Sequence, residues 1–381
     1  MSDVLFEERD GRDGRRIGIA TLHAPKTLNG LSLTMASLLD AQLRAWADDD
    51  AIAVVVLQGA GDKAFCAGGD LHGLYRSMVD YRDAGGGEIT RNAYASEFFS
   101  TEYRLDYRIH TYAKPILCWG HGIVMGGGIG LMAGASHRVV TERSKLAFPE
   151  ITVGLYPDVG GSWLLSRVPD RGGMFLALTG APLGAGDAIH AGLADHFIPE
   201  DARPEVMNAL SNANWSSSAS ANHDTLTAVL RSIEQPVSPG PLQAHAALIR
   251  DVCGNERLDD IVGAIDAIQD DDTWLRNART ALLAGAPGSA RLGFELQRRA
   301  STLSLADTFR LEYIVSLHCA AHGDFAEGIR ALLIDKDRQP RWNPATLAEA
   351  TSSWAESFFN APFSAEAHPL ADLGSQPESY A

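Results

Sequence analysis

Three glycine clusters punctuate the first 161 residues, each set just after a short apolar run or a proline. AFCAGGDL (64–71) follows AVVVLQGAG, HGIVMGGGIGLMAG (121–134) follows ILCWG, and PDVGG (157–161) closes the stretch FPEITVGLYPDVGG. Glycine concentrates where backbone must approach something closely or take conformations that a Cβ forbids. The intervening segments have the matching periods. Residues 16–22 (RIGIATL) alternate like a strand, and 53–57 (AVVVL) form a β-branched run of the kind buried inside a sheet. Residues 116–119 and 138–140 read as further strands. Between the first two, Met35, Leu38, Leu39, Leu43 and Trp46 share one helical face, with Thr34 near its start. This β and α alternation, broken by glycine-rich turns, predicts an α/β core.

From about residue 203 the texture changes. Asn, Ser and Ala dominate 208–221 (ALSNANWSSSASAN), which reads as a loop or a polar helix–loop segment. Apolar stripes of helical spacing follow, at Leu258, Ile261, Val262, Ile265 and Ile268, then at Phe309, Leu311, Tyr313, Ile314 and Leu317. The expected organisation is a core over 1–202, a helical region over 203–363, and a polar tail over 364–381 whose composition permits disorder.

Composition excludes several functions. The chain of 381 residues is long enough for one large or two ordinary domains. Its formal net charge of −16 argues against a general nucleic-acid binder, which presents a basic patch. A small anionic ligand is still compatible, since a few local Lys and Arg can hold it. Cys66, Cys118, Cys253 and Cys319 are widely spaced, with no CxxC pair, so neither a zinc knuckle nor a disulfide frame is expected. The start, MSDVLFEERD, is acidic and lacks an apolar signal core, and no run of 18 apolar residues occurs. No membrane association is expected, and a reducing cytoplasm is the expected setting. His110, His121 and His137 are scattered without metal-ligand spacing, and no G-x-S-x-G elbow exists, so neither a metal site nor a serine triad is expected.

The second cluster admits two readings. Gly128, Gly130 and Ala133 satisfy G-x-G-x-x-A, with Glu150 20 residues after Gly130 (150 − 130), as in a dinucleotide-binding turn. Yet glycine-rich segments match that pattern by chance, and Glu150 follows a proline rather than ending a strand. Alternatively, glycine turns leading into helices aim backbone N–H groups at a carbonyl oxygen, and two of them make an oxyanion hole. FPEITVGLYPDVGG adds two carboxylates, Glu150 and Asp158, to an otherwise mostly apolar stretch. Taken alone, Asp158 fits equally well as an N-cap for the helix that VGGSWLLSRV suggests. Glu150 alone could pair with a buried arginine, and EYRLDYRIH, around Glu102, has the pattern of a charged, solvated helix.

AFCAGGDL, MGGGIG and FPEITVGLYPDVGG, in that order, resemble the crotonase (enoyl-CoA hydratase/isomerase) superfamily, most closely its 3-hydroxyisobutyryl-CoA hydrolase branch. The resemblance continues through LHAPKTLNGL (22–31), FFSTEYRL (98–105), FLALTGAPLGAGDAIHAGLADHF (175–197) and DFAEGIRALLIDKDRQPRWNP (324–344). It covers most of 16–360 and is weakest over 205–290. It implies a spiral of ββα units that binds an acyl-CoA thioester, with the C-terminal helical region beside it. It further implies an oxyanion hole from the N–H groups of Gly69 and Gly127, with Glu150 as the catalytic glutamate. Asp158 matches the acid peculiar to the hydrolase branch, and Glu102 a substrate-contacting glutamate. Lys26 matches a loop near the adenine and phosphates of CoA. Ala67, Asp70 and Lys336 are further expected CoA contacts, and Arg338 and Arg341 extend the basic patch around Lys336.

One departure bears on the reaction. Hydratases carry a second catalytic glutamate just after the triple glycine, and the matching position here is Gly130. The resemblance therefore implies hydrolysis of 3-hydroxyisobutyryl-CoA to 3-hydroxyisobutyrate and CoA, a step of valine catabolism. An enoyl-CoA hydratase/isomerase and a non-catalytic acyl-CoA-binding protein are the alternatives. No cofactor is expected beyond the CoA of the substrate, and the state of assembly is left open, with a homo-oligomer compatible.

Overall fold

The computed structural model describes residues 3–375. Its strands are β1 (Val4–Asp10), β2 (Arg16–Leu22), β3 (Ile52–Gly59), β4 (Ala64–Cys66), β5 (Ile116–Gly120), β6 (Ile123–Met125), β7 (His137–Val140), β8 (Lys145–Ala147) and β9 (His196–Phe197). They form a six-stranded sheet in the order β1-β2-β3-β5-β7-β9 and a three-stranded sheet in the order β4-β6-β8. Among these strand pairs, β1–β2 is antiparallel and the rest are parallel. Each of β3, β5 and β7 in the large sheet is followed within five residues by a strand of the small one, and then by helical structure. The chain therefore climbs by repeated ββα units, the spiral that the resemblance implied.

The strands expected at 16–22, 53–57, 116–119 and 138–140 all form, with small changes at their ends. The helix expected from Thr34 is α1 (Leu33–Asp48), and its cap is Ser32, whose Oγ accepts the Met35 N–H at 3.1 Å. β1 was not foreseen. Its sequence, VLFEERD, exposes Glu7, Glu8 and Asp10 along the sheet edge, and charges there protect an edge from pairing with another chain.

β3 is buried on both faces, which explains its β-branched run. One face, with Val55 and Leu57, joins the main core shared with α1 and α3 (Ala93–His110). The other, with Ala53, Val54 and Val56, is covered by Val206 and Leu210 of the helix Arg203–Asn212 and by Leu226 and Leu230 of the helix Ala219–Arg231. The change in composition near residue 200 is thus no break in packing: the segment after it covers the sheet. The helix Leu305–Ala321 packs on α3, and one continuous core includes both Val4 and Leu373.

The tail expected at 364–381 is docked as far as it is described. Leu370 is fully buried, Arg104 binds the Asp372 carboxylate at 2.6 Å, and Arg310 donates to the carbonyls of Leu370 and Leu373. Two leucines with a place in the core outweigh the polar composition around them. The rest of that expectation, at 376–381, lies outside the described residues.

Candidate active site

The three strands of the small sheet end side by side, and the glycine turns leave from their C-terminal ends. This is where parallel sheets present ligand sites. Gly69 lies three residues past β4, Gly127 two past β6, and Glu150 three past β8. The β4 turn is fixed by a bridge to the loop before α1. Leu31 N–H donates to Gly68 O at 2.8 Å and Asp70 N–H to Leu31 O at 2.9 Å. The β6 turn passes through Gly126 at φ +49° and ψ −120°, which a Cβ strongly disfavours. Among the described residues, neither the Gly69 nor the Gly127 N–H donates a hydrogen bond to the protein.

The spaces over these glycines show what meets there. A methyl group placed on Gly127 would lie 2.4 Å from Glu102 Oε1 and 3.4 Å from Gly69 N. One on Gly126 would lie 2.8 Å from Glu150 Oε1. One on Gly130 would lie 2.7 Å from both Asp106 Oδ2 and Val159 Cβ. The short helix α4 (Gly127–Ala133) and the turn before it thus form a floor bare of side chains. Glu150, Glu102 and Asp106 stand over it in turn, and two unengaged N–H groups lie beside them.

Asp158 completes this wall. It precedes Val159 and Gly160, both at positive φ, and the helix α5 (Gly161–Leu165). It does not cap that helix. Glu312, from the helix Leu305–Ala321, does so from across the core: its Oε2 accepts Gly160 N–H at 2.7 Å and its Oε1 accepts Ser162 N–H at 3.0 Å. Asp158 Oδ2 instead contacts the Tyr103 hydroxyl at 2.7 Å. Tyr103 Oη lies 2.8 Å from Ser316 Oγ, Ser316 Oγ 2.8 Å from Tyr156 Oη, and Tyr156 donates to Glu312 O at 2.7 Å.

Glu102, Asp106, Glu150, Asp158 and Glu312 are all between 0 and 6% exposed. The largest charges acting on them are one another's, with no cation among them. Desolvation, which penalises the charged form, pushes all five carboxyl groups upward. Asp158 is held at about 6, because the Tyr103 hydroxyl partly offsets burial. Glu312 rises to about 8 despite its two N–H donors, with burial first and the Asp158 charge second. Glu102, Asp106 and Glu150 are raised well above the usual carboxylate range, by burial first and then by neighbouring acids.

Gly69, Gly127, Glu102 and Glu150 therefore meet at one place, with Asp158 adjoining. Glu102, which its charged helical pattern would put in solvent, is buried on α3. The expected CoA contacts are looser. Lys26 is exposed on the loop that touches the β4 turn, where Ala67 N–H donates to Leu28 O at 3.1 Å. Asp70 caps α2 (Leu71–Asp83) by accepting Gly73 N–H at 2.9 Å. Lys336, Arg338 and Arg341 are exposed next to Asp335 and Asp337, which bind Arg330, so this surface carries both signs of charge. His110, His121 and His137 stay apart: His121 Nε2 is 3.0 Å from Gly61 O, and His137 stacks on His196.

Sequence reasoning did not single out Asp106, Tyr103, Tyr156, Glu312 or Ser316. A signal existed. Glu102 and Asp106 lie four residues apart among Phe98, Phe99, Tyr103 and Leu105, and Glu312 and Ser316 lie three and seven residues after Phe309 on its stripe. Polar residues at the inward positions of a helix are the informative exception.

A fold of ββα units whose parallel strand ends gather two free N–H groups and a buried glutamate defines a class of acyl-group enzyme folds. The chain belongs to the enoyl-CoA hydratase/isomerase family, whose family model matches residues 17–359. Among its relatives is a protein from Gallus gallus named 3-hydroxyisobutyryl-CoA hydrolase, mitochondrial. It is 35% identical over 363 residues, covering 94% of this chain and 89% of the relative. The 3-hydroxyisobutyryl-CoA hydrolase 1 of Arabidopsis thaliana is 34% identical, covering 94% and 92%. Among solved structures, one described as a carnitinyl-CoA dehydratase from Mycobacterium thermoresistibile is 37% identical. Its TM-score is 0.82, over 95% of this chain and 97% of that one. An enoyl-CoA hydratase from Rhodobacter sphaeroides is 35% identical, also with a TM-score of 0.82, over 95% and 98%.

Proposed function

We propose that this chain hydrolyses an acyl-CoA thioester, with 3-hydroxyisobutyryl-CoA as substrate and 3-hydroxyisobutyrate and CoA as products. The observation that carries this reading is the meeting of the Gly69 and Gly127 turns with Glu150, while the hydratase position at Gly130 bears no side chain. The names of the Gallus and Arabidopsis relatives point the same way.

In this reading the thioester oxygen accepts hydrogen bonds from the Gly69 and Gly127 N–H groups, which strengthen as the oxyanion develops. Each such donor is worth about 3–4 kcal/mol in comparable sites. Glu150 Oε2, buried and without a hydrogen-bond partner among the described residues, faces two routes. It attacks the carbonyl carbon, expelling the CoA thiolate and forming an acyl anhydride that water then cleaves, or it takes a proton from the attacking water. Asp158 orients the 3-hydroxyl or assists the water. Glu102 contacts the substrate beside Gly127. Lys26, Ala67, Asp70 and Lys336 are proposed to line the path of CoA.

The second reading, an enoyl-CoA hydratase or isomerase, is favoured by the names of the two solved structures and disfavoured by Gly130. A free-thiol assay against acyl-CoAs with and without a 3-hydroxyl, run beside an assay of enoyl hydration, separates them. Release of CoA from 3-hydroxyacyl substrates without hydration is the expected result. Hydration without thiol release overturns the proposal, and bound CoA with no turnover points to a binding protein. Among the described residues no helix is long and apolar enough to cross a membrane. The vertebrate relatives are named mitochondrial, which does not match the cytoplasmic setting expected for this chain.

A further inference from the structure

The chain of hydroxyls behind Asp158 can be read by counting hydrogens. Four close contacts run in a row: Asp158 Oδ2 to Tyr103 Oη at 2.7 Å, Tyr103 Oη to Ser316 Oγ at 2.8 Å, Ser316 Oγ to Tyr156 Oη at 2.8 Å, and Tyr156 Oη to Glu312 O at 2.7 Å. Each contact needs one hydrogen. The three hydroxyls supply three, and the Glu312 carbonyl supplies none. With Asp158 ionised, one contact therefore brings two bare oxygens together, whichever way the hydroxyls turn. With Asp158 protonated there are four hydrogens for four contacts, and only one order fits. Asp158 donates to Tyr103, Tyr103 to Ser316, Ser316 to Tyr156, and Tyr156 to Glu312 O.

We propose that Ser316 and Tyr156 are positioning residues that, acting through the Tyr103 hydroxyl, bias Asp158 towards its neutral form, in a hydroxyl chain that is complete only when Asp158 carries a proton. All three are fully buried, so no solvent hydrogen competes for the open contact. The groups facing Asp158 agree in sign. They are Glu102, Tyr103 and Asp106 from α3, Glu150 and Tyr156 from its own loop, and Glu312 and Cys319 from the helix Leu305–Ala321. None is cationic, and every negative charge among them opposes ionisation of Asp158. The chain adds to this a directional device. When the proton leaves Asp158, Tyr103 must turn its hydrogen back to the carboxylate, and the order beyond it is broken. A residue that loses and regains a proton in catalysis is thereby tied to the rigid helix that also holds the Gly160 turn. This inference rests on the proposed role of Asp158, but the count of hydrogens does not.

Deleting a hydroxyl removes two contacts and one hydrogen, which closes the deficit of the ionised form. Ser316→Ala leaves two contacts and two hydrogens, so ionised Asp158 is satisfied and the extra hydrogen of the neutral form has no acceptor in the chain. Tyr156→Phe likewise leaves two contacts for two hydrogens. Both should lower the titration midpoint of Asp158, by about one pH unit for one buried hydrogen bond regained. Tyr103→Phe also leaves two contacts and two hydrogens, but the hydrogen bond it removes is the one to the charged carboxylate, which is the stronger kind, so the midpoint should rise. Ser316→Thr, which keeps the hydroxyl, should restore the wild-type midpoint. The readout is the carboxylic C=O infrared band that disappears in Asp158→Asn, followed against pH, with the pH profile of CoA release measured in parallel. Midpoints in Ser316→Ala and Tyr156→Phe that stay at the wild-type value, or that move upward with Tyr103→Phe, overturn the proposal. If the band shifts as expected in a protein that releases no CoA, the hydroxyl chain stands and the hydrolase reading falls. If CoA release is intact while the band fails to shift, the reverse holds.

Discussion

Glu150 is buried, yet its Oε2 has no hydrogen-bond partner among the described residues, in a wall whose other acids push its carboxyl further towards the neutral form. Such a group is costly to keep and is suited to reacting. Glu150→Gln, which preserves shape and removes both nucleophile and base, should lower CoA release by about 10²–10⁴ while the protein still folds. Full release in that variant removes Glu150 from the reaction. Gly127→Ala tests the oxyanion turn, since its methyl would lie 2.4 Å from Glu102 Oε1 and must displace either the carboxylate or the N–H. A fall of about 10²–10³ in kcat is expected, and an unchanged kcat would dissociate the Gly127 N–H from the oxyanion. At this scale the sequence was most readable where chemistry broke a pattern. Glu150 and Asp158 stood out as acids in an apolar stretch, and Gly130 as a missing one. Asp106 did not, because it lies between Arg104 and Arg108, both partly exposed, in a segment with the pattern of a charged helix.

Elements were legible where their own period announced them, as in β2, β3 and α1. The alliances between elements were not. The carboxylate that caps α5 comes from Glu312, 152 positions after Gly160, and no local rule links the two. The helix Leu305–Ala321 reads as a packing helix and is one, yet it also fixes the turn that carries Asp158. Glu312→Gln isolates this function. Its amide offers one acceptor and turns an NH2 against the second backbone donor, leaving one buried N–H unpaired. A loss of about 1–3 kcal/mol is expected, read as a lower urea midpoint with an unchanged slope. An unaltered midpoint would mean that the Gly160 turn holds itself.

For the whole molecule, five buried acids set the dependence of stability on pH. Their folded-state pKa values lie above the unfolded ones, so the native state binds more protons than the unfolded chain, and stability is lost as pH rises through the folded values. The window runs from neutral pH up through the value of about 8 at Glu312, with Glu102, Asp106 and Glu150 raised in the same direction. Calorimetry should find the Tm falling across that window, and falling less in Asp106→Asn. A Tm that is flat or rising would contradict this picture of the cluster. The docked tail makes a second expectation. Removing 364–381 uncovers the sites of Leu370 and Leu373 and frees Arg104 on α3, the helix of Glu102 and Tyr103. A cost of about 2–5 kcal/mol is expected from the leucines alone, visible as a lower Tm, and equal melting of both forms would show the tail to be an ornament.

The space over Gly130 also limits what can replace it. Asp106 Oδ2 occupies the space where a side chain at 130 would start, with Val159 closing the other flank. A glutamate at 130 therefore enters only if Asp106 and Val159 give way, so the two positions are expected to be epistatic: Gly130→Glu should cost less stability in an Asp106→Ala background than alone, and equal costs would show the two sites to be independent.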